Sequence, residues 1–125
     1  MWNIFNREAE NLSDAESLFK RMKVAYETQP DGTLFVPGDL DLSGRDLAKL
    51  PDLSNVIVGG NFNCENNLLT SLRGSPKEVR GDFLCGYNIL LNTEGVTPKI
   101  GGGFHAEHNH LLAQNKAPQL RSPGV

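Results

Sequence analysis

All three histidines of the chain fall in one stretch, Phe104-His105-Ala106-Glu107-His108-Asn109-His110, beside a carboxylate. Imidazoles and carboxylates at such short spacing are zinc ligands where the backbone lets them converge. On a strand His105 and Glu107 share a face, and His108 and His110 enter the turn that follows, so a three-ligand centre is the chemistry to weigh. The same positions elsewhere in the chain hold Asn63, Leu84, Asn66, Tyr87, Leu68 and Ile89. No cysteine or second acid accompanies the imidazoles to complete and orient a ligand set. The expectation is therefore a surface cluster with no metal and no cofactor; a His-cluster metal protein is the second alternative.

Cys64 and Cys85 are the only cysteines. They occupy equivalent positions of neighbouring repeat units, which puts their Cα atoms about 4.8 Å apart if the units stack as parallel strands. That separation suits a disulfide, but in-register side chains point the same way, so two reduced core thiols are expected. Gly59-Gly60 and Gly101-Gly102-Gly103 are followed by no Lys-Ser or Lys-Thr and open no helix, so they are not phosphate loops. No G-x-S-x-G elbow and no Ser/His/Asp set is present. The chain is not expected to be an enzyme.

The element that positions these residues is a repeat. Gly60, Gly81 and Gly102 are 21 apart and Gly38 precedes Gly60 by 22. In register with them run Val36, Val58, Val79 and Ile100; then Leu40, Phe62, Phe83 and Phe104; Leu42, Cys64, Cys85 and Ala106; Arg45, Asn67, Asn88 and Asn109; Leu47, Leu69, Leu90 and Leu111. Pro51, Pro76, Pro98 and Pro118 close the units. Val58, Phe62 and Cys64 alternate with polar residues, as on one face of a short strand. One unit cannot bury its Phe and Leu alone, but stacked units can. The Asn column is expected to turn its amides inward onto backbone groups of adjacent units that would otherwise be buried without partners.

The run Phe62-Asn63-Cys64-Glu65-Asn66-Asn67-Leu68-Leu69 resembles the later half of the leucine-rich-repeat pattern. The full unit, Val-x-Gly-Gly-x-Phe-x-Cys-x-x-Asn-x-Leu-x-Ser-Leu-x-Gly-x-Pro, is similar to short repeats of uncharacterised phage and prophage proteins. The likeness covers roughly residues 36–120. The departures are a valine one residue ahead of the first Leu position, Arg45 in the Asn column, and Thr93 where Leu72 stands one unit earlier. The resemblance implies a curved solenoid with a strand-lined face; with the glycine period and the residues ahead of it, the expected fold is a β-rich, leucine-rich-repeat-like solenoid of about four coils of 21–22 residues with an N-terminal helical cap. It names no single activity.

Residues 13–27 read as that cap, with a capping box at Ser13-Asp14-Ala15-Glu16 and an apolar stripe of Ala15, Leu18, Phe19, Met22, Ala25 and Tyr26. Trp2, Ile4 and Phe5 either fold back on it or anchor a partner. The expected organisation is a cap over 1–33, the repeat over 34–120 and a frayed tail over 121–125. No helix is expected to cover the last coil, so its strand around Phe104 is an open edge. No secretory signal and no long apolar run is present, so a cytoplasmic protein is expected, in the host cytoplasm if phage-encoded.

The outward positions of the four strands carry Asp39, Asp41, Asn61, Asn63, Glu65, Asp82, Leu84, His105 and Glu107, together with Ser43, Gly86 and Gly103. Five are acidic and none is Lys or Arg, although the chain has 12 basic residues and a net charge of -3. Arg45, Lys49, Arg73, Lys77, Arg80, Lys99 and Lys116 fall on turns and return legs. Such a face repels nucleic acid and suits a basic protein surface. The nine residues are therefore the candidate partner-binding set of a non-catalytic protein-interaction module. Its sharpest form is a phage-encoded, anti-CRISPR-type inhibitor of a host defence complex. The alternative is a self-associating structural protein, a homodimer through the open edge.

Overall fold

The computed structural model describes residues 12–112. One helix opens it, α1 (Asp14–Met22), followed by eight short strands: β1 (Glu27–Thr28), β2 (Leu34–Val36), β3 (Leu40–Asp41), β4 (Val56–Val58), β5 (Phe62–Asn63), β6 (Glu78–Val79), β7 (Phe83–Leu84) and β8 (Phe104–His105). They form two four-stranded sheets, ordered β1-β2-β4-β6 and β3-β5-β7-β8.

Pairing follows the 21-residue period. Val36 lies opposite Val58 and Val58 opposite Val79 in the first sheet. Phe62 pairs with Phe83 and Phe83 with Phe104 in the second. All these pairs are parallel; only β1 runs antiparallel, along the outer edge of β2. The inward side chains of both sheets meet in one core, where Val36, Val56, Val58, Phe62, Cys64, Leu69, Leu72, Phe83, Cys85 and Leu90 are buried. The Phe62 and Phe83 rings pack edge to face with centroids 5.1 Å apart, and Phe83 and Phe104 follow at 5.6 Å.

This corrects the expected fold class. The architecture is not the leucine-rich-repeat-like solenoid with one strand-lined face; it is an α/β-like arrangement of two small parallel or mixed sheets and one short helix. The stretch read as a single strand through Val58, Phe62 and Cys64 is broken at Gly59-Gly60, and its halves belong to different sheets. The glycines form that corner because each unit presses on the one before: a Cβ on Gly81 would stand 2.8 Å from the Gly60 carbonyl oxygen. Amide hydrogen bonds carry the corner across units, from Gly60 N–H to Gly38 O, from Gly81 to Gly60 and from Gly102 to Gly81, at 2.8–2.9 Å.

The helix is shorter than the stripe from 13 to 27 suggests. Its capping box is formed by Ser13 and Glu16, but Lys23 takes a left-handed conformation (φ 60°) and ends it at Met22. Ala15 and Phe19 are buried, and Phe19 packs on Tyr26 at 5.4 Å. The helix lies over the first unit, where Leu18 and Arg21 share a shallow hollow with Leu42, Leu47 and Leu50. Trp2, Ile4, Phe5, Lys116, Pro118 and the tail lie outside the described residues. Among the described residues no helix is long and apolar enough to cross a membrane.

Candidate functional site

The outward positions of the second sheet form three rows across the stacked units. The first holds Asp39, Asn61 and Asp82, and their side chains are already engaged. Asp39 Oδ1 accepts from Asn61 N–H (2.7 Å), Asn61 Oδ1 from Asp82 N–H (2.8 Å), and Asp82 Oδ1 from Gly103 N–H (2.8 Å). This ladder pairs amides just after the glycine corner. Three of the nine residues read as partner-binding thus hold units together.

The second row is Asp41, Asn63, Leu84 and His105, aligned by the register of β3, β5, β7 and β8. Asp41 accepts from the Ser43 hydroxyl (2.6 Å) and Ser43 N–H (2.9 Å), which hold its carboxyl below the usual carboxylate range. Asn63 makes the same turn onto Glu65 N–H (2.9 Å). His105 Nε2 stands 3.5 Å from Asp82 Oδ2. The third row is Ser43, Glu65, Gly86 and Glu107. The Glu65 and Glu107 side chains flank Gly86: a Cβ there would meet Glu65 Oε2 at 3.2 Å and Glu107 Cγ at 3.5 Å. Cations gather instead on the first sheet, where Arg80 and Lys99 approach Glu78 of β6 at 3.3 and 3.7 Å.

Below these rows the Asn column turns inward. Asn88 Oδ1 accepts from Leu69 N–H (3.0 Å), and its amide nitrogen donates to the carbonyls of Cys64, Cys85 and Gly86. Asn67 does the same for the first unit, accepting from Arg45 N–H and Leu47 N–H. Each Asn serves the unit before its own. The first unit has none before it to serve, which is why Arg45 can stand in the column.

The histidines do not assemble a ligand set. His105 turns toward Asp82, whereas His108 stacks on Tyr87 at 4.4 Å with 17° between the rings. Among the described residues no group of three or more His, Cys, Asp or Glu side chains could hold a metal ion. Cys64 and Cys85 are unpaired and buried. Burial pushes both thiols up, Cys85 to about 12, so neither is a ready nucleophile.

One surface was not legible as such in the repeat columns. After the second sheet each unit passes through a left-handed residue, Gly44, Asn66, Tyr87 or His108, with φ between 56° and 64°. The chain then alternates: Asn67, Leu69, Asn88 and Leu90 point in, while Leu68, Tyr87, Ile89, Leu91 and Leu112 are exposed. The available signal was the large apolar residues that stand six, eight or ten residues after the three later glycines, at Leu68, Tyr87, Ile89, Leu91 and Leu112. No protein family, no curated protein and no solved structure matches this chain.

Proposed function

We propose that this chain is a non-catalytic docking module whose outward second-sheet face seats on a basic surface of a partner protein. The observation that carries the reading is the charge sorting. Carboxylates occupy the outward rows of the second sheet, at Asp41, Glu65 and Glu107, with no Lys or Arg among them, while Arg80 and Lys99 lie beside the first sheet, where both approach its Glu78. Opposite charge of this kind steers encounter and fixes register. The reading places no role on the buried thiols of Cys64 and Cys85 or on a histidine metal centre, since His105 turns to Asp82 and His108 to Tyr87. In its sharpest form the module is an inhibitor, of the anti-CRISPR type, that fills a Lys- and Arg-lined groove and excludes nucleic acid from it. The test is affinity capture from a bacterial lysate with the native chain and with Glu65→Lys/Glu107→Lys. These positions leave the Asp39–Asn61–Asp82 ladder intact. Native-only partners are expected; capture of the same partners by both forms overturns the reading.

A second reading is favoured by Phe104. Its equivalents Phe62 and Phe83 are fully buried, yet it keeps 41% of its surface. Self-association through the last unit would cover it and the β8 edge.

A further inference from the structure

Among the described residues, five of the six exposed large hydrophobic side chains share one surface: Leu68, Tyr87, Ile89, Leu91 and Leu112 keep 39–51% of their area. Lateral hydrogen bonds hold the segments that carry them in register, from Leu68 N–H to Leu47 O (2.8 Å), Ile89 to Leu69 (3.0 Å) and Leu112 to Leu91 (3.2 Å). Leu68 and Ile89 are therefore adjacent, as are Leu91 and Leu112, at about the spacing of paired strands. A contiguous exposed apolar patch rimmed by charge marks a protein-binding surface.

Two further observations point the same way. Tyr87 and His108 are left-handed at φ 56° and 58°, a conformation that suits the Gly44 and Asn66 of the preceding units and costs larger side chains energy. The fold does not require aromatic rings there, and they stack on one another at the edge of the patch. The patch is also confined to the later units, since the first carries Gly44, Asp46 and Ala48 at the matching positions.

Along its strand-side border run Glu65 and Glu107, on either side of Gly86. We infer that this surface docks a cationic amphipathic polypeptide segment, whose apolar side chains cover Ile89, Leu91 and Tyr87 and whose Lys or Arg residues reach Glu65 and Glu107. The charge half of the inference rests on the docking reading above; the apolar half stands on the patch.

The experiment measures binding of three labelled synthetic peptides to the full chain by fluorescence anisotropy. They are a Leu–Lys peptide of helical periodicity, a Ser–Lys peptide of equal charge and a Leu–Glu counterpart. The Leu–Lys peptide is expected to bind about tenfold or more tightly than either control. Ile89→Ser/Leu91→Ser and, separately, Tyr87→Asn are expected to remove that advantage without changing Ser–Lys binding. All three positions are exposed, so the variants keep the fold, and thermal unfolding checks this. Equal binding of Leu–Lys and Ser–Lys overturns the inference while leaving charge-driven docking in place. Equal binding of Leu–Lys and Leu–Glu overturns it together with the charge argument. A native dimer in sedimentation that Ile89→Ser/Leu91→Ser splits assigns the patch to a second copy and overturns it too.

Discussion

Asn88 shows how one side chain can decide whether neighbouring units hold together. Its oxygen satisfies Leu69 N–H and its nitrogen the carbonyls of Cys64, Cys85 and Gly86, all beneath a surface that water does not reach. Removing one partner leaves buried polar groups unpaired, at about 1–3 kcal/mol for each. Asn88→Ala is therefore expected to cost about 2–4 kcal/mol in urea unfolding, and the equivalent change at the partly exposed Asn109 clearly less, because water can replace part of what that side chain supplies. The carboxylates make a pH prediction at the same scale. Hydrogen bonds from Ser43 and Ser54 lower the pKa of Asp41 and Asp52 in the folded chain. A depressed folded pKa contributes stability that is present above the unfolded value, near about 3.9, and lost as pH falls through the folded one. The unfolding temperature is expected to decline below about pH 4, and Ser43→Ala/Ser54→Ala to flatten that decline; an equally steep decline in the variant removes these bonds as its source.

At the scale of the element, the glycine corner governs. After the first unit, each corner glycine (Gly60, Gly81 and Gly102) lies against the backbone of the preceding unit, and a Cβ added at Gly81 would stand 2.8 Å from Gly60 O. Gly81→Ala is thus expected to force the units apart at about 1–3 kcal/mol, the range for overpacking a tight contact, read as a lower urea midpoint; no change would mean that the corner yields. The same corner limits what the sequence could tell. The period, the buried Phe and Leu columns and the inward Asn were legible, because each repeats in residue type. The break between sheets was not: Val58, Phe62 and Cys64 have matching parity whether the chain runs straight or turns at Gly59-Gly60. β1 was illegible for another reason. Glu27 and Thr28 are exposed and become a strand only by pairing with β2. In the site, strand parity exposed the outward rows, but not that Asp39, Asn61 and Asp82 would be bound to the next unit's amides. The apolar patch escaped because its columns, such as Asp46, Leu68, Ile89 and His110, share exposure rather than identity.

The whole molecule has two unlike ends. At the first, β1 pairs with the edge of β2 and the helix buries Ala15 and Phe19 over the first unit. At the other, Ile100, Phe104, Ala106 and Leu111 stand where the two middle units place fully buried residues, and all four keep some exposure. Among the described residues nothing lies beyond them, and β8 pairs only with β7. An edge strand beside exposed apolar side chains is a template for another chain, and a two-fold contact between copies would bury both Phe104 rings at once. Burying a Phe fully contributes roughly 1.5–3 kcal/mol, so even part of that from each copy gives a contact that strengthens with concentration. Sedimentation equilibrium is expected to show a monomer–dimer balance that Phe104→Ser shifts toward monomer. Ile89→Ser/Leu91→Ser, at the separate apolar patch, leaves that balance unchanged if the last unit is the contact. A strict monomer at the highest concentration rules self-association out and leaves Phe104 as a second apolar anchor for a different protein.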